Sequence, residues 1–356
     1  MTSKLDTLCA YAKGKIAVED LNAQTYISTE NMMPNKGGIV DASSLPSVQY
    51  TQQYLKGDVL VSNIRPYFKK IWMAEYDGGC SNDVLVFRAK NGCDPTFLYY
   101  VLANDVFFDY ATATSKGTKM PRGDKSAIMQ YDVPDFEMDT QLRIGKLLKS
   151  LDDRIAVNKK INDNLQQQAQ AIYASMFIDN ADPACEQGHL SDLIAVKYGK
   201  DHKKLADGSY PVYGSGGIMR HVERPLYDKE SVLIPRKGTL NNVMYVNQPF
   251  WSVDTMFYTE MRLPNVAKFV YHFVKAKDLA SMNAGSAVPS MTTDILNAIE
   301  VAIPSASALE EFEALVSPMY KAMQENDNQS EILAKLRDAL LPKLMSGEID
   351  VSDIQL

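Results

Sequence analysis

The chain has 356 residues, 46% of them hydrophobic, and a formal net charge of −7. That length suits two domains better than one, and no apolar run approaches the ~20 residues of a bilayer-crossing helix. The start, Met1-Thr2-Ser3-Lys4-Leu5-Asp6, lacks the apolar core of a secretion signal, and four scattered cysteines (Cys9, Cys80, Cys93, Cys185) without a C-x-x-C pair fit a reduced, cytoplasmic setting.

Residues 1–137 read as a first globular domain of mixed α/β character. Strands are expected at Asp58–Ser62, Lys70–Ala74 and Asp83–Phe87, a helix over Pro95–Phe108, and a strand ending at Val133-Pro134. Between the helix and that last strand lies a Gly/Lys/Thr-rich loop, Thr114 to Gly123. A long helix follows over 138–180. Residues 181–305 run through a comparable order: a strand at Ser231–Ile234, the stretch Val253–Phe257, a helix from about Asn265 to Lys275, and a glycine-bearing loop from Asn283 to Met291. A second long helix and tail occupy 306–356, where Pro318 is expected to kink or break the first turns and Pro342 to do the same near the end.

The two long helices repeat one another 168 residues apart. Ile144, Leu148, Leu151, Ile155, Asn158, Asn162, Leu165, Ala169, Ile172 and Met176 keep 4-3 spacing, and so do Phe312, Val316, Met319, Met323, Asn326, Ser330, Leu333, Arg337, Leu340 and Leu344. Such a pattern marks a helix with a single apolar seam that requires a partner helix. Packed antiparallel, the two seams bury each other, and the polar positions Asn158/Asn162 and Asn326/Ser330 help fix register. Gly117 and Pro121 stand at the same offset from Gly285 and Pro289. The chain therefore reads as a duplication: two α/β (α+β) globular domains joined by two long antiparallel helices in a coiled coil.

Charge is distributed unevenly. Residues 1–135 hold 14 Lys+Arg against 15 Asp+Glu and residues 181–305 hold 13 of each, whereas residues 306–356 hold 4 against 10. The globular domains are balanced, which leaves room for a basic face on either; the acidic excess sits in the last helix, where Glu310, Glu311 and Glu313 suit contact with protein better than contact with phosphate. Enzyme motifs are missing: no GxxxxGK[ST], GxGxxG, HExxH, Gly-x-Ser-x-Gly or Asn/Asp-Pro-Pro-Tyr, and the four histidines are scattered. No catalytic residue, no metal site and no cofactor of this chain's own is expected.

What remains are basic, glycine-flanked loops of the kind that approach phosphates and base edges. The candidates for DNA contact are Arg65 and Lys69; Lys116, Lys119, Arg122 and Lys125; Tyr213 and Ser215 at the turn Gly214-Ser215-Gly216-Gly217; Arg236, Lys237 and Asn241; and Ser286. The residues alone leave open a competing reading, a coiled-coil scaffold whose globular ends bind proteins.

The order domain, long helix, domain, long helix resembles the specificity subunit of a Type I DNA restriction-modification system. The resemblance spans nearly the whole chain and rests on the run Gln141 to Asn162, the ending Leu340 to Ile349, Arg65-Pro66-Tyr67 with Lys70-Ile71-Trp72, and Gly285 to Met291. It implies two target-recognition domains, each reading half of a bipartite, asymmetric double-stranded DNA site. It also implies a non-catalytic subunit that docks two modification (adenine methyltransferase) subunits binding S-adenosylmethionine. Restriction subunits that use ATP and magnesium can join such a core.

Overall fold

A computed structural model describes residues 2–282 and 290–352. It divides into two compact units: Met1–Asn158 with Asp327–Leu356, and Lys159–Asn326. Each unit thus holds one globular domain and one stretch of both long helices.

In the first unit an antiparallel sheet runs in the order Cys9–Tyr11, Val84–Ala89, Val59–Ser62, Ile71–Met73. Its side chains alternate between two cores, as the period of two in a strand requires. Val59, Val61, Ile71, Leu85 and Phe87 face the helices, while Leu60, Trp72, Val84 and Val86 face a second sheet. Burial on both faces explains why Val59-Leu60-Val61 reads as an unbroken apolar run. The second sheet is ordered Lys15–Ala17, Tyr50–Tyr54, Gly78–Cys80, Tyr26–Ile27.

The second unit repeats this plan. Its main sheet is Ile194–Tyr198, Met256–Met261, Ser231–Pro235, Met244–Val246, again antiparallel throughout. A smaller sheet joins Gly217–Val222, Asp207–Gly214 and Trp251–Ser252.

Some expected elements differ. The helix expected over Pro95–Phe108 is two helices, Pro95–Ala103 and Asp105–Ala113. Asn104 breaks the run in extended conformation (φ −66°, ψ 136°), and its side chain accepts from Val106 N at 3.2 Å as the cap of the second helix. The later helix covers Ala267–Lys275, and the strand expected from Val253 begins at Met256.

The long helices are Met138–Ala174 and Ala306–Ser346. The second runs through Pro318 and Pro342 as one continuous helix, so neither proline breaks it. Pro318 and Ala314, whose carbonyl loses its helical donor, are both exposed, and so are Pro342 and Asp338. Exposure leaves the orphaned carbonyls on the solvent side, while Phe312, Val316, Leu341 and Leu344 stay buried. Irregularity falls on the first helix instead, which ends in a π-helical turn, Ser175–Asp179.

Pairing of the helices is antiparallel within each unit. In the first, Arg337 Nη1 donates to Asp152 Oδ1 at 2.6 Å and Asn158 Nδ2 donates to Gln329 Oε1 at 2.9 Å. In the second, Asn162 Nδ2 donates to the Met323 carbonyl at 3.1 Å. Of the seam residues, Ile144, Leu148, Phe312 and Val316 are buried, and Leu151, Ile155, Leu165, Ile172, Met319, Leu333 and Leu340 are half-buried.

Each domain is fastened to its helices by polar anchors. Gln141 is buried and accepts from Asp94 N at 3.0 Å while donating to the carbonyls of Phe136 (2.7 Å) and Gly92 (3.2 Å). Tyr100 donates to Asp152 at 2.6 Å. In the second unit Lys268, with a side chain 4% exposed, lies 3.1 Å from Glu230 and 2.7 Å from Glu313. Glu313 is therefore an internal partner of Lys268, which corrects its expected role as a surface acid for protein contact; Glu310 and Glu311 do lie exposed.

Candidate nucleic-acid interface

In the first unit three loops converge beyond the ends of strands Val59–Ser62 and Val84–Ala89. Ile64 and Arg122 form an isolated antiparallel bridge, Arg65 N donates to the Pro121 carbonyl at 2.8 Å, Gly123 N to Asn63 O at 3.1 Å, and Asn63 N to Asp83 O at 2.8 Å. The sequence-predicted Arg65, Lys69, Lys116 and Arg122 are thereby brought into one cluster. Lys116 and Arg122 exchange backbone hydrogen bonds (2.8 and 2.9 Å), making a small hairpin with exposed Lys119 near its tip.

Carboxylates hold most of these cations in place. Arg122 pairs with Asp83 at 3.0 Å, Lys69 with Asp105 at 3.0 Å, and Lys116 with Asp124. Burial alone would raise the Asp105 carboxyl, but the bonds from Lys36 and Lys69 draw it below the ordinary carboxylate value. Asp124 is lowered too, by Lys116 first and then by the N–H groups of Ala127 and Ser126. Asp105 and Asp124 stay ionised at neutral pH, and all three acids orient the cations, at some loss of net charge. Among the described residues Arg65 enters no ion pair, and its buried Nε has no hydrogen-bond partner.

Lys125 stands apart from this cluster. Its ammonium lies 5.9 Å from the Tyr11 ring, beside a cleft of about 340 Å³ lined also by Lys13, Lys15, Tyr50, Gln52 and Asn82. Sequence reasoning missed these, because they come from separate loops and strands. It also missed Lys36, which shares Asp105 with Lys69 at 2.9 Å. The run Pro34-Asn35-Lys36-Gly37-Gly38 announces only a turn.

In the second unit the loop after Ser231–Pro235 is the topological counterpart. Arg236 lies with its guanidinium 5.3 Å from the ring of Tyr198, which is 51% exposed, and Nη1 donates to Asp254 O at 3.3 Å. Lys237 is exposed. Ser215 meets this loop: its carbonyl accepts from Asn242 Nδ2 at 2.8 Å, and a Cβ built on Gly238 (φ 86°) would lie 2.8 Å from its hydroxyl. Tyr213 is half-buried and accepts from Gln248 at 3.3 Å. Asn241 is spoken for at both ends, donating to Asp278 at 3.1 Å and accepting from Ala280 N at 3.0 Å. That bonding lowers the Asp278 carboxyl, with Asn241 the largest cause, and leaves Asn242 as the amide nearer to Ser215. Ser286 lies outside the described residues.

Among the described residues no cluster of three or more His, Cys, Asp or Glu could hold a metal ion, and no helix is long and apolar enough to cross a membrane.

The family described as Type I restriction modification DNA specificity domain matches residues 1–167 and again 185–340. The Type I restriction enzyme MjaIX specificity subunit of Methanocaldococcus jannaschii is 23% identical over 308 residues, covering 74% of this chain and 71% of its own length. The HindI specificity subunit of Haemophilus influenzae is 23% identical over 451 residues, covering 93% and 96%. The crystal structure of a Type I restriction-modification S subunit from M. genitalium matches with a TM-score of 0.58 at 20% identity, over 97% of this chain and 96% of that one. With one match to each globular domain and its helix, the chain belongs to the family of Type I restriction-modification DNA specificity proteins.

Proposed function

We propose that this chain is the DNA-reading subunit of a Type I restriction-modification complex. Each domain reads one half of a bipartite, asymmetric site, and the paired helices set the interval between the halves. The observation that supports this most is the repetition itself. Two domains of the same strand order each carry basic side chains on the loop after the same strand, Arg65 and Lys69 in one and Arg236 and Lys237 in the other. The side chains around those loops differ, as two halves of an asymmetric sequence require.

The chain itself performs no chemistry in this reading. It docks two modification subunits, which bind S-adenosylmethionine and methylate an adenine in each half-site, and restriction subunits with ATP and magnesium join the same core. The outward faces of the long helices, including exposed Glu310 and Glu311, serve this docking. Lysines at Glu310 and Glu311 weaken assembly and leave DNA affinity intact.

The test is to co-express the chain with a modification subunit encoded beside it and map adenine methylation by single-molecule sequencing. A gapped, asymmetric motif methylated on both strands supports the reading. A genome without such a motif, from a complex that assembles, overturns it.

A further inference from the structure

Among the described residues, four of the five non-glycines with positive φ meet in one place in the first unit: Asn35 (55°), Lys36 (61°), Arg65 (51°) and Lys69 (51°). A residue with a Cβ adopts this conformation only at a cost, and such strain collects where a fold presents something to a ligand. Arg65 and Lys69 bracket a single 3-10 turn, Pro66–Phe68. Three backbone bonds of 2.8 Å clamp it: Arg65 N to Pro121 O, Asn35 N to Phe68 O, and Lys36 N to Lys69 O. The ammonium groups of Lys36 and Lys69 share Asp105. Pro66 is buried beneath, while Tyr67 is 48% and Phe68 39% exposed, their rings 4.8 Å apart.

The second domain shows the same connection made without these features. Its loop, residues 236–243, has the same length as residues 63–70. Where the first copy strains Arg65, the second has Gly238 at φ 86°, and where the first exposes Tyr67, the second has Leu240, 2% exposed. The first copy keeps a strained arginine and a half-exposed aromatic pair where glycine and a buried leucine suffice. Lys70 Nζ lies 5.9 Å from the Phe68 ring while donating to the Thr29 carbonyl at 2.6 Å, and the clamped turn sets Lys36, Arg65 and Lys69 on the backbone beside the rings, cationic positions suited to a phosphate chain.

We propose that Tyr67, backed by Phe68, is an aromatic wedge that enters one base step of the half-site read by the first domain, with Lys36 and Lys69 toward the flanking phosphates. The assignment rests on the specificity-subunit reading above. A rigid ring costs little further ordering on binding, and its contact with a base offsets the unstacking it causes. The wedge favours an easily unstacked pyrimidine–purine step at its position, so it selects by deformability rather than by base-edge hydrogen bonds. At the counterpart position of the second domain Leu240 is buried, so that loop inserts no ring and the kink is expected in the first half-site.

The experiment uses the complex of this chain with its modification subunits on the mapped site, with 2-aminopurine placed singly across both half-sites, away from the methylated adenines. The expected result is one bright position in the first half-site, kept in Tyr67→Phe and lost in Tyr67→Ala, with affinity falling roughly five- to hundred-fold in the alanine variant. Unchanged affinity and fluorescence in Tyr67→Ala, with sequence-specific methylation intact, overturns the wedge and leaves the specificity reading standing. Weakened capture of modification subunits by Tyr67→Ala in the absence of DNA assigns the rings to a protein contact and also overturns it. Absence of any sequence preference in the unsubstituted complex removes the underlying reading as well.

Discussion

Asn326 donates through Nδ2 to Oδ1 of Asn162 at 2.8 Å. In the other unit Asn158 donates to the hydroxyl of Ser330 at 3.2 Å. Each bond joins the first polar position of one helix to the second of the other, the exchange expected when two copies of one pattern pair antiparallel. Asn162→Ala removes the bond from Asn326 and the bond to the Met323 carbonyl and should cost on the order of 1 kcal/mol in denaturant unfolding. Leucine at both positions should recover or exceed that stability while loosening register. Stability of Asn162→Ala equal to that of the unsubstituted chain would show that the bond contributes nothing.

Lys268 is the most deeply enclosed charge of the second unit, held by Glu230 and Glu313 and lying 5.2 Å from the Tyr245 ring and 5.6 Å from the Tyr320 ring. Removing one member of a buried ion pair strands the others, typically at ~3–5 kcal/mol. Lys268→Ala and Glu313→Lys should both lower the melting temperature of the second unit sharply, whereas lysine at exposed Glu310 should not. Calorimetry of the three variants decides it.

His272 gives the second unit a pH dependence. Its Nδ1 is 2.7 Å from Gln170 Oε1 and its Nε2 is 2.9 Å from the Tyr320 hydroxyl, with the ring stacked on Tyr173. Burial first, and the Lys275 charge second, lower its pKa from 6.5 to about 4. The unfolded chain therefore binds a proton that the folded chain refuses between those values. The neutral ring's contribution is complete above pH 6.5 and is lost as pH falls toward 4, on the order of 3 kcal/mol in all. His272→Gln should flatten the stability profile across that window; an unchanged slope would assign the acid sensitivity elsewhere.

Arg65 and Lys119 should separate two kinds of DNA contact. Alanine at Arg65 should cost ~1–3 kcal/mol and relax one position of the first half-site, and alanine at Lys119 should weaken all sequences alike and lower the salt slope by about 1. Competition binding of the assembled complex at several salt concentrations distinguishes them.

The helices were legible because a 4-3 seam is a local periodicity, visible wherever ten positions keep step. The proline rule is equally local, and the break it allows at Pro318 is absent where Ala314 and Pro318 lie on an exposed face of the helix. Long-range partners leave no such trace. Glu313 looks like any surface acid until the fold places Lys268 against it, and Asn241 looks like a base reader until Asp278 and Ala280 occupy its amide. Likewise the basic character of residues 65–69 and 116–122 was readable separately. Their union through the Ile64–Arg122 bridge, and the addition of Lys36, depend on tertiary pairing.

Leu341, Leu344, Met345 and Val351 belong to the same core as Leu5, Phe97 and Phe107, and Gly347, at φ 75°, turns the chain back so that Val351 reaches it. The second unit is one continuous stretch of chain, but the first is closed by its own distant end. During synthesis, then, the later domain can acquire its native core while the earlier one still waits, its apolar surface incomplete until translation has passed Val351. The part that emerges first from the ribosome is thus the last to receive all the residues of its core.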